Sequence, residues 1–181
     1  MIPSLLLFTL LASLVLLVIG LPLLLAPGRV ESAVRAFPRN RALGIATMLL
    51  GGGWFLWKIL NLGPSDFGNY RHLLFLLFAA TLFGSIYYVR DFLAVRGFAI
   101  LTLLCANVGL KSAFGHYEIP ERLFLVSLLY LFIVAAMYFG TMPYRMRDLL
   151  DFLFRQPLRV RACGVLFTLA GLSLAVSAVL F

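Results

Sequence analysis

Six apolar segments, each about 20 residues long, constrain the fold of this chain more than any other feature. A helix of about 20 apolar residues is long enough to cross the hydrocarbon core of a bilayer. Lipid cannot hydrogen-bond an exposed backbone, so such segments cross as helices. We therefore predict an all-α integral membrane protein, a six-transmembrane-helix bundle that forms a single domain over residues 1–181. The predicted spans cover residues 4–26, 42–62, 72–89, 97–114, 123–142 and 162–181.

The composition supports this fold class. Of the 181 residues, 63% are hydrophobic and 12% are charged, whereas a soluble domain carries roughly 25% charged residues. No Lys or Arg precedes the first apolar segment, and a signal peptide needs a basic region there. We expect that segment to be a retained transmembrane helix.

The basic residues predict the orientation. The links after the first, third and fifth spans hold eleven arginines, and the opposite links hold four basic residues. Cytoplasmic links are enriched in Lys and Arg, so the odd-numbered links are predicted to be cytoplasmic and both termini to lie outside. The arginine-rich usage favours a bacterial inner membrane. Because the arginines sit at span ends, we expect lipid and no nucleic acid as partner. The two sets are Arg29, Arg35, Arg39, Arg41, Arg90, Arg96, Arg145, Arg147, Arg155, Arg159 and Arg161 against Lys58, Arg71, Lys111 and Arg122.

Two cytoplasmic links share the pattern R-x-R-A-x-G. It runs from Arg39 to Gly44 and again from Arg159 to Gly164, each time after a proline and at the entry to a span. The match predicts a parallel repeat of the first and last hairpins, related by an axis along the membrane normal. Chance similarity between two arginine-rich link ends is the open alternative.

The link between the fifth and sixth spans predicts an interfacial amphipathic helix. Met146, Leu149, Leu150 and Leu153 recur at helical spacing, and Asp151 is expected to pair with the arginines four residues before and after it, Arg147 and Arg155. Such a helix would lie among anionic phospholipid head groups. It would either fix the exit angle of the chain or present a surface to a partner or to lipid. The basic surface predicted on the cytoplasmic side comprises Arg39, Arg41, Arg145, Arg147, Arg155, Arg159 and Arg161.

The first link has a similar but shorter pattern. Val30, Ala33, Val34 and Phe37 recur at helical spacing, which predicts a second short amphipathic helix. Glu31 and Arg35 are expected to form an ion pair on its polar side.

Small residues predict where helices approach each other. In the sixth span they recur on one helix face, and close backbone approach allows helices to associate in lipid. This small-residue seam is expected to pack on a helix of the same chain or of a partner, including a second copy. Gly51–Gly53 near the middle of the second span marks either ordinary packing or a broken helix at a solute site. The seam comprises Gly164, Thr168, Gly171, Ala175 and Ala178.

Polar residues near the outer ends of the spans form a candidate outer polar set. One interpretation is that the two lysines only extend their charged ends to the membrane interface. The other is that these residues form a shallow outward-facing site. His72, His116 and Glu118 would bind zinc only if the outer loops met, and no metalloprotease, nucleophile-elbow or phosphate-loop motif is present. We predict no catalytic residue, no metal and no cofactor. The outer polar set comprises Lys58, Asn61, His72, Asn107, Lys111, His116 and Glu118.

Three functional hypotheses follow. The first is a non-catalytic scaffold, accessory subunit or biogenesis helper that acts through helix packing and an arginine-rich cytoplasmic face. It is favoured because ionisable groups are absent at mid-membrane depth. The second is a small carrier or channel for an apolar, lipidic or uncharged solute. The third is an enzyme at the outer interface.

Overall fold

The computed structural model describes residues 2–89 and 91–180, and its regular elements over these ranges are all helical. Two residues named in the sequence analysis, Arg90 in the charge count and Phe181 at the end of the sixth predicted span, lie outside the described residues. Short 3-10 turns occupy Phe37–Arg39, Pro64–Asp66 and Gly68–Tyr70. The α-helices of the described part are α1 (Ile2–Leu25), α2 (Pro27–Ala36), α3 (Arg41–Leu60), α4 (Arg71–Tyr88), α5 (Leu93–Ala113), α6 (Arg122–Thr141), α7 (Tyr144–Phe154) and α8 (Pro157–Val179).

Six of these helices, namely α1, α3, α4, α5, α6 and α8, are long and apolar enough to cross a membrane. Their outward faces are strongly apolar: Leu7 and Leu14 of α1, for example, are 59% and 57% exposed. A water-soluble monomer rarely exposes apolar surface on this scale, and lipid is the solvent that tolerates it. The helices indicate a multi-pass membrane protein.

Two helices begin about one helical turn before the predicted spans. Helix α5 begins at Leu93 and α8 at Pro157, whereas the spans were predicted from residues 97 and 162. The sequence-based boundaries followed hydrophobicity, but a helix does not have to end where its apolar stretch ends. Proline suits the first helical position because it needs no N–H partner there. Consequently Arg159 and Arg161 belong to the first turns of α8.

Both predicted link helices are present as α2 and α7. The Glu31–Arg35 pair is confirmed, with Oε1 of Glu31 lying 2.9 Å from Nε of Arg35. The two predicted pairs of Asp151 are wrong. Its Oδ1 accepts a hydrogen bond from Nη1 of Arg35 at 2.7 Å, and Arg147 pairs with Asp148 at 2.8 Å. Pairs within one helix are worth only about 0.2–0.5 kcal/mol, so a well-placed arginine from another helix can replace them.

The described chain divides into two compact units. The first contains residues 2–35, 105–135 and 147–180. Its core joins Leu5 and Leu16 of α1 to Leu125 of α6 and Leu174 of α8, all with at most 3% exposure. The second half of α5 adds small buried alanines at positions 106 and 113.

The second unit contains residues 36–89, 91–104 and 136–146. Its core is formed by Met48 of α3, Leu82 of α4 and Leu93 of α5. Helix α3 runs unbroken through Gly51–Gly53, so the broken-helix hypothesis is wrong. A Cβ on Gly51 would lie 3.1 Å from the Ile100 side chain, and one on Gly52 would lie 2.5 Å from Leu82. The first two glycines therefore give α5 and α4 room to pack, as expected where helices approach closely in lipid.

Candidate functional site

In the first unit, the small-residue seam of α8 lies against α1. Gly164 and Gly171 are buried, and Ala178 is 2% exposed. A Cβ on Gly164 would lie 2.6 Å from the backbone nitrogen of Leu24, which has no freedom to move away. Thr168 and Ala175 are half-buried on the same helix. The partner of this seam is thus a helix of the same chain.

Helix α1 contributes a complementary set of small residues that the sequence analysis missed. Gly20 is buried, and a Cβ there would lie 2.8 Å from the backbone nitrogen of Thr168. The Ser13 hydroxyl donates a 2.7 Å hydrogen bond to the carbonyl oxygen of Gly171. Thr9 is fully buried and returns its hydroxyl to the backbone of its own helix. Their spacing of four and seven residues was the signal that could have identified this face beforehand.

Arg35 joins the two short helices of the first unit. Its guanidinium contacts Glu31 of α2 and Asp151 of α7, and it lies 5.6 Å from the ring centroid of Phe154. Its Nε is buried and lies 2.9 Å from Oε1 of Glu31. The angle between these atoms does not meet hydrogen-bond geometry, and Nε has no other hydrogen-bond partner among the described residues. One side chain thereby holds α2 against α7. We call this arrangement the Arg35 clamp.

An apolar cavity of about 310 Å³ lies beside the Arg35 clamp. Val30 and Val34 of α2 line it, together with Leu153 and Phe154 of α7, Val160 of α8 and the last turns of α1. Small-molecule sites in proteins occupy about 300–1,000 Å³, so this cavity lies at the lower limit for a ligand. Its lining is almost wholly hydrocarbon.

Four arginines of the predicted basic surface belong to the same unit as the cavity. Arg155 follows Phe154 directly, and Arg161 is exposed on α8; within the described part of the chain neither has an ion-pair partner. Arg159 donates to the carbonyl oxygen of Phe152 and lies 4.0 Å from the centroid of that ring. Arg147 is paired with Asp148. The cavity therefore borders a segment with a surplus of positive charge.

The other three predicted basic residues belong to the second unit. Arg39 and Arg41 are exposed on either side of Asn40, whose side chain accepts from the backbone N–H of Leu43 and caps α3. Arg145 is exposed and lies 5.5 Å from the ring centroid of Tyr144.

The outer polar set is distributed over both units. Lys58, Asn61 and His72 belong to the second unit, and the remaining members, Asn107, Lys111, His116 and Glu118, belong to the first. Asn61 ends α3, and its side-chain amide donates to the carbonyl oxygen of Trp57. Within residues 2–89 and 91–180, no three His, Cys, Asp or Glu side chains lie close enough to hold a metal ion. The structure therefore gives no geometric support to the zinc hypothesis.

The chain matches no protein-family model, no curated protein sequence and no solved structure.

The seam packs two helices, the Arg35 clamp joins two short helices, and the cavity offers an apolar volume close to exposed arginines.

Proposed function

We propose that this protein is a non-catalytic scaffold, accessory subunit or biogenesis helper of a membrane, acting through helix packing and an arginine-rich cytoplasmic face. The observation that carries the proposal is the Arg35 clamp, which ties Glu31 of α2 to Asp151 of α7. It holds the two short helices of the arginine-rich links in a defined arrangement and leaves Arg155 and Arg161 unpaired and exposed within the described part of the chain. A fixed surface with free cations suits an acidic partner or a lipid surface.

The proposal includes a topology. We place α2 and α7 at the cytoplasmic surface of a bacterial inner membrane, with both termini outside, because arginine is concentrated in the links that hold these helices. Both short helices would then be amphipathic and interfacial. Their apolar side chains Val30, Val34 and Leu153 line one cavity, and exposed arginines would meet anionic head groups.

The repeat belongs to the same proposal. In both hairpins a long helix leads through a short helix to another long helix: α1–α2–α3 and α6–α7–α8. The glycines that end the two R-x-R-A-x-G motifs both occupy close helix contacts. A Cβ on Gly44 would lie 3.0 Å from the backbone nitrogen of Ala94, just as one on Gly164 would meet Leu24. A shared packing role supports common descent of the hairpins.

A second candidate function is a small carrier for an apolar or lipidic solute. The apolar cavity favours it, because its volume of about 310 Å³ would admit part of such a molecule.

Stoichiometric co-purification from the native membrane tests the first proposal. The chain is isolated in mild detergent as wild type and as the double variant Arg155→Glu and Arg161→Glu, with Arg71→Glu as a control for charge reversal in an even-numbered link. We expect one membrane protein to accompany the wild type and the control in constant ratio and to be lost from the double variant. A partner retained equally by all three proteins, or no stoichiometric partner at all, would contradict the proposal.

A further inference from the structure

The cavity of the first unit differs from an ordinary packing defect in its setting. It lies where the last turns of α1 and the first turns of α8 meet the two short helices, which is the depth of the inner leaflet in the proposed topology. A void without partner atoms forfeits the dispersion energy of its lining. A cavity of this size is therefore expected to be filled, and the inner leaflet supplies hydrocarbon chains at this depth.

The positive charge next to the cavity favours some lipid head groups over others. Segment 144–161 carries five arginines and two aspartates, and both aspartates are already paired with arginines. Arg155 directly follows the lining residue Phe154, and Arg159 directly precedes the lining residue Val160. A zwitterionic head group carries its own cation, which offsets the phosphodiester and limits the gain from this surplus of arginines. A head group with a net negative charge would gain from each arginine near the surface.

We infer that the cavity holds one acyl chain of an anionic phospholipid from the inner leaflet, with the head group bound by Arg155, Arg159 and Arg161. This inference rests on the proposed function, since it needs α2 and α7 at the cytoplasmic surface. Hydrocarbon from lipid and hydrocarbon from protein are equally apolar, so the acyl chain that fills the cavity does not distinguish one phospholipid from another. Selectivity arises at the head group.

Native mass spectrometry of the full chain tests the inference. The protein is titrated with dioleoyl phosphatidylglycerol and with dioleoyl phosphatidylcholine, which share their acyl chains and differ in head-group charge. We expect one phosphatidylglycerol to bind at least about tenfold more tightly than phosphatidylcholine. Removing each free arginine should weaken phosphatidylglycerol binding about fivefold. The double variant Arg155→Gln and Arg161→Gln should therefore lose most of the preference, and Arg71→Gln should keep it.

A second pair of variants tests the cavity itself. Leu153→Trp places a bulky indole ring in the cavity and should weaken binding of both lipids at this site at least about tenfold. Leu166→Trp changes an α8 side chain that is 69% exposed and should bind lipid like the wild type. If Leu153→Trp does not elute as a single species, Val34→Phe obstructs the same cavity from α2.

Each result decides the inference. Equal affinity for the two lipids, or unchanged binding in the cavity-filling variant, would overturn it. A protein adduct in place of bound lipid would do the same, because it would identify a partner helix or a second copy as the occupant. If no protein co-purifies stoichiometrically with the wild type while its preference for phosphatidylglycerol is intact, the scaffold proposal alone is refuted.

Discussion

At the scale of single residues, Arg35 connects three side chains of the first unit. It contacts a carboxylate of its own helix, a carboxylate of α7 and the face of Phe154. Its side chain is 36% exposed and those of its two acidic partners 42% and 46%, so solvent screens each ion pair. Exposed pairs contribute about 0.2–1 kcal/mol, and an exposed cation–π contact about 0.5–1 kcal/mol. Arg35 stabilises mainly because it makes three contacts at once.

Replacing Arg35 with alanine is expected to destabilise the protein by about 1–3 kcal/mol, the sum of its screened contacts. The matched control is Arg29→Ala in the same helix, because Arg29 is exposed and has no ion-pair partner among the described residues. Unfolding by sodium dodecyl sulfate in mixed micelles measures both variants. Equal stability of the two would show that the Arg35 clamp contributes nothing.

At the scale of helices, the antiparallel contact of α1 with α8 organises the first unit. Gly20 on one helix and Gly164 on the other lie at the same crossing, where each would place a Cβ against the backbone of its neighbour. The Ser13 hydroxyl adds a hydrogen bond to α8, and such bonds between membrane helices average about 0.6 kcal/mol. Because lipid provides no hydrophobic drive for association, close packing supplies most of the stability.

The variant Gly164→Ala is expected to cost about 1–3 kcal/mol, the usual cost of overpacking, because its Cβ would meet the backbone of Leu24 at 2.6 Å. Gly84→Ala in α4 is the control, since no atom lies within 4 Å of a Cβ there. That control should be neutral or up to about 1 kcal/mol more stable, because alanine favours helix. Thermal unfolding in detergent distinguishes the two variants, and a stable Gly164→Ala protein would refute close packing at this crossing.

At the scale of the whole molecule, the distribution of arginine carries the functional argument. The six long apolar helices are an observation, whereas the cytoplasmic placement of α2 and α7 is part of the proposal. Two long apolar helices separate each arginine-rich link from the next, so in the proposed topology all three links lie on the same side of the membrane. Moving an arginine through the bilayer is costly, which would keep them there.

Labelling of single cysteines in intact cells checks this topology. In a background with Cys105 and Cys163 replaced by serine, we expect a membrane-impermeant thiol reagent to label Asp66→Cys and to leave Arg155→Cys unlabelled until the cells are opened. The opposite pattern would invert the topology and remove the basis for an inner-leaflet lipid site. A variant that keeps only Cys105 should stay unlabelled. Labelling of Cys105 would show that water reaches this depth, as expected for a carrier.

Several features of the candidate site could be predicted from local sequence. The α8 seam shows small residues at helical spacing, and the Glu31–Arg35 pair lies within one helix, where backbone geometry sets the distance. The partner of Asp151 could not be predicted, because Arg35 is 116 positions away along the chain. The face formed by Thr9, Ser13 and Gly20 could also have been predicted from its helical spacing. It was not predicted, because leucines dominate the segment around it.

The sequence by itself determined the number of long apolar helices and the presence of the two short ones, because hydrophobic length and helical periodicity are local properties of the chain. Only the tertiary structure decided that the seam faces α1, that Arg35 bridges α2 and α7, and that their valines and leucines line a cavity beside arginines without ion-pair partners among residues 2–89 and 91–180. These features depend on which helices become neighbours. Inside lipid, close packing and a few polar contacts between distant positions determine which helices become neighbours. Hydropathy along the chain does not predict these contacts.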